Sequence, residues 1–427
     1  MNTYTHIQNE DPEVFAAIVG EEKRQAEGLE LIPSENYVSS AVREAMASGL
    51  TNKYSEGYPG KRYYGGQEFT DSVENIARDR AKELFNAHAA NVQPLGGANA
   101  NIAAYMALCA PGDTILGMDL SHGGHLTHGH PVTYISKVFN FVRYSMKDVE
   151  TGEIDYDALL ETAKKERPKI ILAGFSAYPR TLDWKRLADI AREVDAYSVA
   201  DVAHIAGLIA GGSATSPFAN GFDVMTTTTH KTLRGPRGGM ILTNDAGDTD
   251  RATDIAKKID KAVFPGLQGG PHMHQIAAKA ISFKEALHPS FKTYAKNVVE
   301  NAAAMAEVFK ASGARLLTGG TDNHLILADV WTSFGISGAE AETLLDNAGM
   351  TLNKNSIAND TRGPMDPSGI RFGTPAMTTR GFGIEDSKEV AQLMLNVLKN
   401  RDEASVATAR ARVYELAAAH PIPESFV

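Results

Sequence analysis

The chain has 427 residues, of which 43% are hydrophobic and 22% charged, and a formal net charge of −10. That length exceeds one ordinary core and predicts two packed domains of a soluble globular protein. The acidic balance excludes a general nucleic-acid binder, whose affinity rests on phosphate neutralisation, and no stretch approaches the roughly 20 apolar residues that span a membrane.

Cys109 is the only cysteine, so no intrachain disulfide can form. Its small, apolar neighbours predict a buried thiol rather than a nucleophile. Residues 1–10 are polar and lack the apolar core of a signal peptide, so the cytoplasm is the expected compartment.

Asp11-Pro12-Glu13 predicts the start of the first helix, with Val14, Phe15, Ile18 and Val19 at helical spacing towards Arg24. The glycine- and tyrosine-rich segment 52–66 shows no periodicity and is long for a connection, which marks it as functional. A helix is expected over 69–85, a short strand ending at Asn91-Val92-Gln93-Pro94, and a helix over 99–109 opened by Gly96-Gly97. Strands are expected over 114–118, 169–173, 198–202, 224–227 and 240–242. Between two of them, residues 184–193 place Leu187, Ile190 and Ala191 on one helical face. This alternation indicates an α/β fold whose mostly parallel sheet is covered by helices on both faces. After Pro271 the rhythm changes to helices over 274–287 and 294–312, a strand over 323–330, a helix over 338–348 and a final helix over 386–399. That order fits a smaller C-terminal α+β domain. The expected division is an N-terminal helix and arm over 1–55, a large domain over 56–280 and a small domain over 281–427.

Val224-Met225-Thr226-Thr227-Thr228-Thr229-His230-Lys231 runs a β-branched strand into a lysine, followed by Arg234-Gly235-Pro236-Arg237-Gly238-Gly239. A lysine at a strand end beside cations loses its proton more easily and becomes a nucleophile. An ordinary loop lysine would need neither the threonine run nor the adjacent His230. Ser198-Val199-Ala200-Asp201-Val202-Ala203-His204 puts an aspartate at the end of another strand. Asp201 either caps the next helix or, where a pyridine ring lies at the strand ends, keeps the ring nitrogen protonated as an electron sink. His204 is left open between stacking, hydrogen bonding and packing. Gly96-Gly97 supplies a helix N-terminus for a phosphate, and lacks the Gly-Lys-Ser/Thr ending of a P-loop.

Residues 121–130 hold four histidines among three glycines. No cysteine or carboxylate set completes a zinc site there, and the glycines suggest close backbone approach to a ligand. No metal is expected, at this cluster or at His272 and His274.

Several blocks together resemble the serine hydroxymethyltransferase family. Thr228-Thr229-His230-Lys231-Thr232-Leu233-Arg234-Gly235-Pro236-Arg237-Gly238-Gly239 is similar to its cofactor-lysine motif. Glu30-Leu31-Ile32-Pro33-Ser34-Glu35-Asn36, the 52–66 segment, the histidine-glycine segment, Phe264-Pro265-Gly266-Leu267-Gln268-Gly269-Gly270-Pro271 and Gly369-Ile370-Arg371-Phe372-Gly373-Thr374-Pro375-Ala376 match in order along nearly the whole chain.

The resemblance implies a fold-type I, aminotransferase-like architecture and a homodimer, or a homotetramer built from dimers, with active sites at the subunit interface and the N-terminal arm contributing to it. Pyridoxal 5′-phosphate would be held by the large domain as a Schiff base on Lys231, with His230 beside it in the cofactor site and in catalysis. Asp201 would meet the pyridine nitrogen, His125 would stack on the ring, and Ser176 and His204 would contact its phenolic oxygen. Gly96, Gly97 and Ala98 would face the phosphate, with Tyr54 and Gly270 reaching it from the neighbouring subunit. Arg371, with Ser34 and Tyr64, would bind the substrate carboxylate, and Glu56 and Tyr64 would serve catalysis near the hydroxymethyl group. Tetrahydrofolate would lie against Leu120, Gly124, Leu126 and Asn355, with Phe264 from the partner.

The implied reaction is reversible transfer of the hydroxymethyl carbon of L-serine to tetrahydrofolate, giving glycine and 5,10-methylenetetrahydrofolate. For Glu56, the alternative is a salt bridge to Lys53 or Arg62. The family usually carries hydroxyl side chains where this chain reads Leu95-Gly96-Gly97-Ala98-Asn99, which predicts weaker phosphate binding unless backbone N–H groups replace them. His130, Pro33 and Gln67 also depart from the family pattern. These changes keep open an α-methylserine hydroxymethyltransferase or a folate-independent aldolase or transaldolase of β-hydroxy amino acids. A cofactor-binding relative without catalysis is a third reading, opposed by the intact Lys231, Asp201, Arg371 and Glu56.

Overall fold

Seven strands form the central sheet of the computed structural model, which describes residues 4–423. They are β1 (Ala89–Asn91), β2 (Thr114–Met118), β3 (Asn140–Tyr144), β4 (Ile170–Gly174), β5 (Tyr197–Asp201), β6 (Val224–Thr228) and β7 (Gly239–Thr243), in the spatial order β1-β7-β6-β5-β4-β2-β3. Only β7 runs antiparallel to its neighbours. The expected strands fall within a residue or two of those observed. β3 lay outside the sequence expectations, because its Asn140 and Arg143 interrupt the apolar run and it occupies a sheet edge.

Strand alternation feeds two cores. Ile171 and Ala173 enter one cluster with Ala77, Ala81 and Phe85 of helix Glu68–Phe85 and Leu187 and Ile190 of helix Trp184–Glu193. Ile170 and Leu172 face the opposite cluster, with Ala103 of helix Gly97–Leu108 and Ile255 and Ile259 of helix Thr249–Lys261. Each fully buried Leu or Ile of these cores contributes about 1.5–3 kcal/mol relative to an exposed one. Helix Trp184–Glu193 starts where expected because the Asp183 side chain accepts from the Arg186 N–H.

A second sheet lies in the C-terminal part: β8 (Arg315–Leu316), β9 (Leu325–Asp329), β10 (Asn353–Asn355) and β11 (Gly369–Gly373), antiparallel in the order β8-β9-β11-β10. Its core joins Ile326, Ile370 and Phe372 to Leu29 and Leu31 of the N-terminal segment. Leu29–Glu30 pairs in parallel with Met350–Thr351, and Gly373 N–H donates to Leu31 C=O, which stitches the arm to this sheet. Helix Pro289–Ala311 serves both cores, Phe291 to Val298 packing in the first and Ala302 to Phe309 in the second.

Three expectations are corrected. The helix capped by Asp11 runs to Glu27 and is preceded by another over Thr5–Glu10. The helix expected to end the chain spans Ile384–Asn400 and is followed by Glu403–Ala419, an alanine-rich helix with little apolar periodicity. Cys109 is half-buried rather than fully so, and burial with the nearby Asp113 carboxylate pushes its thiol up to about 12. Among the described residues no helix is long and apolar enough to cross a membrane.

Candidate active site

The strand carboxyl ends of β1, β2, β4, β5 and β6, together with the start of β7, open onto one cavity of about 310 Å3. Gly96, Gly97 and Ala98 line one side, and His125, Ser176, His204, His230 and Lys231 surround Asp201, the only acid among the lining residues. The threonine run of β6 stays buried because its hydroxyls find acceptors: Thr226 donates to Asn101 Oδ1 at 2.5 Å and Thr229 to Pro236 C=O at 2.5 Å. Gly174 closes β4 beside Asp201 with φ +127°, and a Cβ there would lie 2.1 Å from Asp201 O. Only glycine lets the two strand ends meet.

Asp201 is buried and held by three donors: Asn101 Nδ2 at 2.8 Å, His128 Nε2 at 3.0 Å and Ala203 N–H at 3.0 Å. Burial opposes its ionisation, but the hydrogen bonds from His128 and the Asn101 amide hold the carboxyl well below the usual range. His128 Nδ1 accepts from the His125 backbone N–H at 3.1 Å, so its proton sits on Nε2 and points at the aspartate. His128 and Asn101 were not assigned roles from the sequence, and the only hint was their place in the histidine and Gly-Gly segments. Asp201 therefore presents a fixed negative charge, suited to keeping a proton on a ring nitrogen.

Lys231 is half-buried, and no hydrogen bond or ion pair holds its amine among the described residues. Burial, then the pull of Asp201 in the opposite sense, then Arg371 and Arg237 bring it down to about 8. Roughly a tenth is thus the neutral nucleophile at pH 7, far more than for an ordinary lysine. The rate at which Lys231 captures an aldehyde cofactor is expected to rise with pH and level off above about 8, read by stopped-flow absorbance on the cofactor-free protein. A rise continuing beyond about 10, the range of an ordinary lysine, would show that the cavity does not activate it.

Burial lowers His125 to about 4, and its Nδ1 accepts from Thr127 N–H at 3.2 Å and meets Thr127 Oγ1 at 2.7 Å. The ring is therefore neutral and fixed, as a stacking surface must be. His204 is likewise buried and neutral, with its Nδ1 3.1 Å from Nε2 of His324 and the two rings stacked. His324 is a second contributor that the sequence reading missed. Burial and the cations Arg371 and Lys231 bring it to about 3. His230 lines both this cavity and a neighbouring one of about 300 Å3, which also contains Ser34 and Arg237. Burial first, then Arg237, lowers it to about 3.

Strand alternation explains Arg371. Ile370 and Phe372 point into the small-sheet core, so Arg371 points out of it, towards the large sheet. Its guanidinium donates to Ser176 C=O at 2.6 Å and Asn353 Oδ1 at 3.2 Å, and no carboxylate pairs with it among the described residues. Burial lowers it to about 10. A half-buried guanidinium with only neutral acceptors has its charge left for a ligand.

Other predicted residues lie elsewhere. Tyr54 and Tyr64 are exposed, pack edge to face at 5.3 Å, and both donate to Glu56, to Oε1 and Oε2 at 3.2 Å each. Gly270 lies against the Tyr54 ring. None of the four lines the Lys231 cavity of the same chain. The salt-bridge alternative for Glu56 does not hold: Arg62 is buried on Asp71 and Glu74 at 2.8 and 2.6 Å, and Lys53 donates to Gly65 C=O. Gln67 donates to Tyr54 C=O at 3.0 Å and so ties down this loop. Phe264 is buried edge to face with Tyr63 at 5.7 Å. Leu120 and Leu126 are exposed beside the His125 loop, and Asn355 ends β10 with its amide on Ser356 C=O. Gly124 is needed for packing, since a Cβ would sit 2.2 Å from Met118 O.

Pro33 packs on Gly373 beside Ser34, and His130 accepts from Val132 N–H outside the cavity. Among the described residues no three His, Cys, Asp or Glu side chains are grouped in a way that could hold a metal ion, and His272 and His274 stack on each other.

The departing Leu95–Asn99 segment has a clear structural consequence. Helix Gly97–Leu108 begins at Gly96 without any side-chain cap, so its first N–H groups remain available at the cavity wall. An amine without a partner, an ionised buried carboxylate, a neutral imidazole face and an uncapped helix N-terminus fit a phosphorylated pyridine aldehyde. A family model described as serine hydroxymethyltransferase matches residues 7–394. With that match over most of its length and a cavity furnished in this way, the chain belongs to the serine hydroxymethyltransferase family, pyridoxal-phosphate-dependent transferases of fold type I.

Proposed function

We propose that the protein transfers the hydroxymethyl carbon of L-serine to tetrahydrofolate, reversibly, with glycine as the other product. The observation that carries this reading is a pair of cations, Lys231 lining the cavity and Arg371 beside it on the carbonyl of the lining residue Ser176, neither with a carboxylate partner among the described residues. One suits an aldehyde and the other the carboxylate of an amino acid.

Bound pyridoxal phosphate would supply a pyridinium ring able to accept the electron pair of the breaking Cα–Cβ bond. Asp201 would keep the proton on the ring nitrogen through its fixed negative charge. The neutral His125 would cover the ring without adding a charge that opposes that proton. Ser176 and His204, which line the cavity, would hydrogen-bond the ring oxygen, and the first turn of helix Gly97–Leu108 would take the phosphate. Arg371 and Ser34 would hold the substrate carboxylate, and the Lys231 amine, held by no hydrogen bond among the described residues, would carry a proton.

Glu56 takes the hydroxyl proton as the one-carbon unit leaves, with Tyr54 and Tyr64 fixing its two oxygens. Because Tyr54 and Tyr64 are exposed, Glu56 is half-buried and none of the three lines the Lys231 cavity of their own chain, they would serve the cavity of a second copy in a homodimer. Gly270 and Phe264, on the same side as Tyr54 and Tyr63, enter that neighbouring site with them. The exposed Leu120 and Leu126, with Gly124 and Asn355, receive the pterin. The cytoplasm remains the proposed compartment.

Glycine formation from L-serine by cofactor-loaded protein, with and without tetrahydrofolate, tests the reading. Strong folate-dependent turnover is expected. Turnover indifferent to folate, or present with α-methylserine or threonine but absent with serine, would assign the protein to the neighbouring activities instead.

A further inference from the structure

Lys279 lies in the middle of helix Met273–Ala286 and is 2% exposed, yet it plays no part in the chemistry above. Its Nζ donates to three backbone carbonyls: Val92 at 2.7 Å, Pro94 at 3.1 Å and Gly239 at 2.8 Å. An amine has two hydrogens and an ammonium three, so three acceptors select the charged form. Burial opposes that charge and brings the group down to about 7, with the Glu74 carboxylate pulling back up.

Those carbonyls belong to the chain leaving β1 and the start of β7. Gly239 N–H itself donates to Pro94 C=O, and a Cβ on Gly239 would sit 2.4 Å from Gly96 O. The ammonium therefore knots two backbone segments directly behind the uncapped turn at Gly96. Drawing the Val92 and Pro94 carbonyls back towards Nζ fixes the bend through which Leu95–Ala98 reaches the cavity. The charged groups facing Lys279 are few. Glu74, on helix Glu68–Phe85, is neutralised by Arg62 Nη2 at 2.6 Å and accepts from Gln93 Nε2 at 2.9 Å, while the neutral His230 lies across Gly238. No carboxylate is hydrogen-bonded to the ammonium itself among the described residues, so its positive charge is free to act on an anion at the helix start.

We propose that Lys279 is a positioning residue for the phosphate of the cofactor, holding the Leu95–Ala98 turn in its anion-accepting shape and adding positive charge behind it. The proposal rests on the pyridoxal phosphate reading of the cavity. It also accounts for how a loop without hydroxyl side chains can grip a phosphate.

Comparison of pyridoxal 5′-phosphate with pyridoxal, which lacks the phosphate, separates this role from a purely structural one. Cofactor-free wild type and Lys279→Met would be titrated with each aldehyde, following the absorbance of the ligand attached to Lys231. The variant is expected to lose at least about tenfold in affinity for pyridoxal phosphate, the scale of one charge-assisted hydrogen bond, while pyridoxal affinity stays within about twofold. Added sulfate should compete with pyridoxal phosphate in the wild type and much less in the variant. An equal fall for both aldehydes, or no fall, would overturn the proposal and leave Lys279 a core tie. If Lys279→Met does not fold, Lys279→Gln, which retains two N–H donors, decides on the same ratio. Wild type that attaches neither aldehyde would sink the cofactor reading itself, a failure visible before any variant is compared.

Discussion

Replacement of Arg371 by methionine is expected to lower kcat/KM for the amino-acid substrate by roughly 30- to 5,000-fold, the equivalent of about 2–5 kcal/mol for removing one partner of a buried charge pair. The guanidinium is placed by β11 and steadied by Ser176 C=O and Asn353 Oδ1, which leaves the rest of its fork for a carboxylate. Methionine keeps the length and packing but offers neither charge nor donors. Arg371→Lys should recover only part of the loss, because an ammonium lacks the planar fork. Steady-state kinetics with L-serine measure this, alongside the absorbance of the bound cofactor, which should be unchanged in both variants. Unaltered kcat/KM in Arg371→Met would mean that the carboxylate binds elsewhere.

Asp201→Asn should act on a different quantity. The carboxylate is buried, ionised and held by Asn101, His128 and Ala203, so it can answer a protonated ring nitrogen with a full charge. Asparagine keeps the shape and much of the hydrogen bonding but leaves that nitrogen without a counter-charge. A loss of about 3–5 kcal/mol, the penalty for breaking a buried pair, corresponds to roughly 150- to 5,000-fold in kcat. The cofactor should still attach to Lys231, so absorbance would separate loss of chemistry from loss of binding. Retention of kcat within about fivefold would remove Asp201 from the role assigned to it.

The sequence made some of this site legible and hid the rest for identifiable reasons. Lys231 and Asp201 each end an apolar or β-branched run, and a strand carboxyl end is a position that local pattern can locate. Their supporting groups come from afar. His128 and Asn101 reach Asp201 across 73 and 100 positions, and Arg371 meets Ser176 across 195. His324 looked like part of a strand start and proved to be the hydrogen-bonding partner of His204. Lys279 carries no motif: inside an amphipathic helix a lysine reads as solvated, and only the packed fold places it under three carbonyls. In the fold, the expected strands and most expected helices lie within a residue or two of those observed. The helix expected from residue 294 begins at Pro289, and helices Tyr156–Glu166 and Thr249–Lys261 were not anticipated. Nor were β3 and helix Glu403–Ala419, one an edge strand broken by polar residues and the other dominated by alanine. Chemical character in the 52–66 segment was legible as well, since its glycines and tyrosines build the surface cluster around Glu56.

Whether Lys231 and Glu56 act together from two copies of the chain is tested most directly by mixing two inactive proteins. Lys231→Ala and Glu56→Gln would be co-expressed with different affinity tags, and the species carrying both tags isolated. In a dimer with shared sites, one site of each mixed pair retains both residues, so roughly half of wild-type turnover should return although each parent is inactive. Turnover no higher than that of either parent would place Lys231 and Glu56 in the same chain's site, or in no common site, and would contradict the shared arrangement.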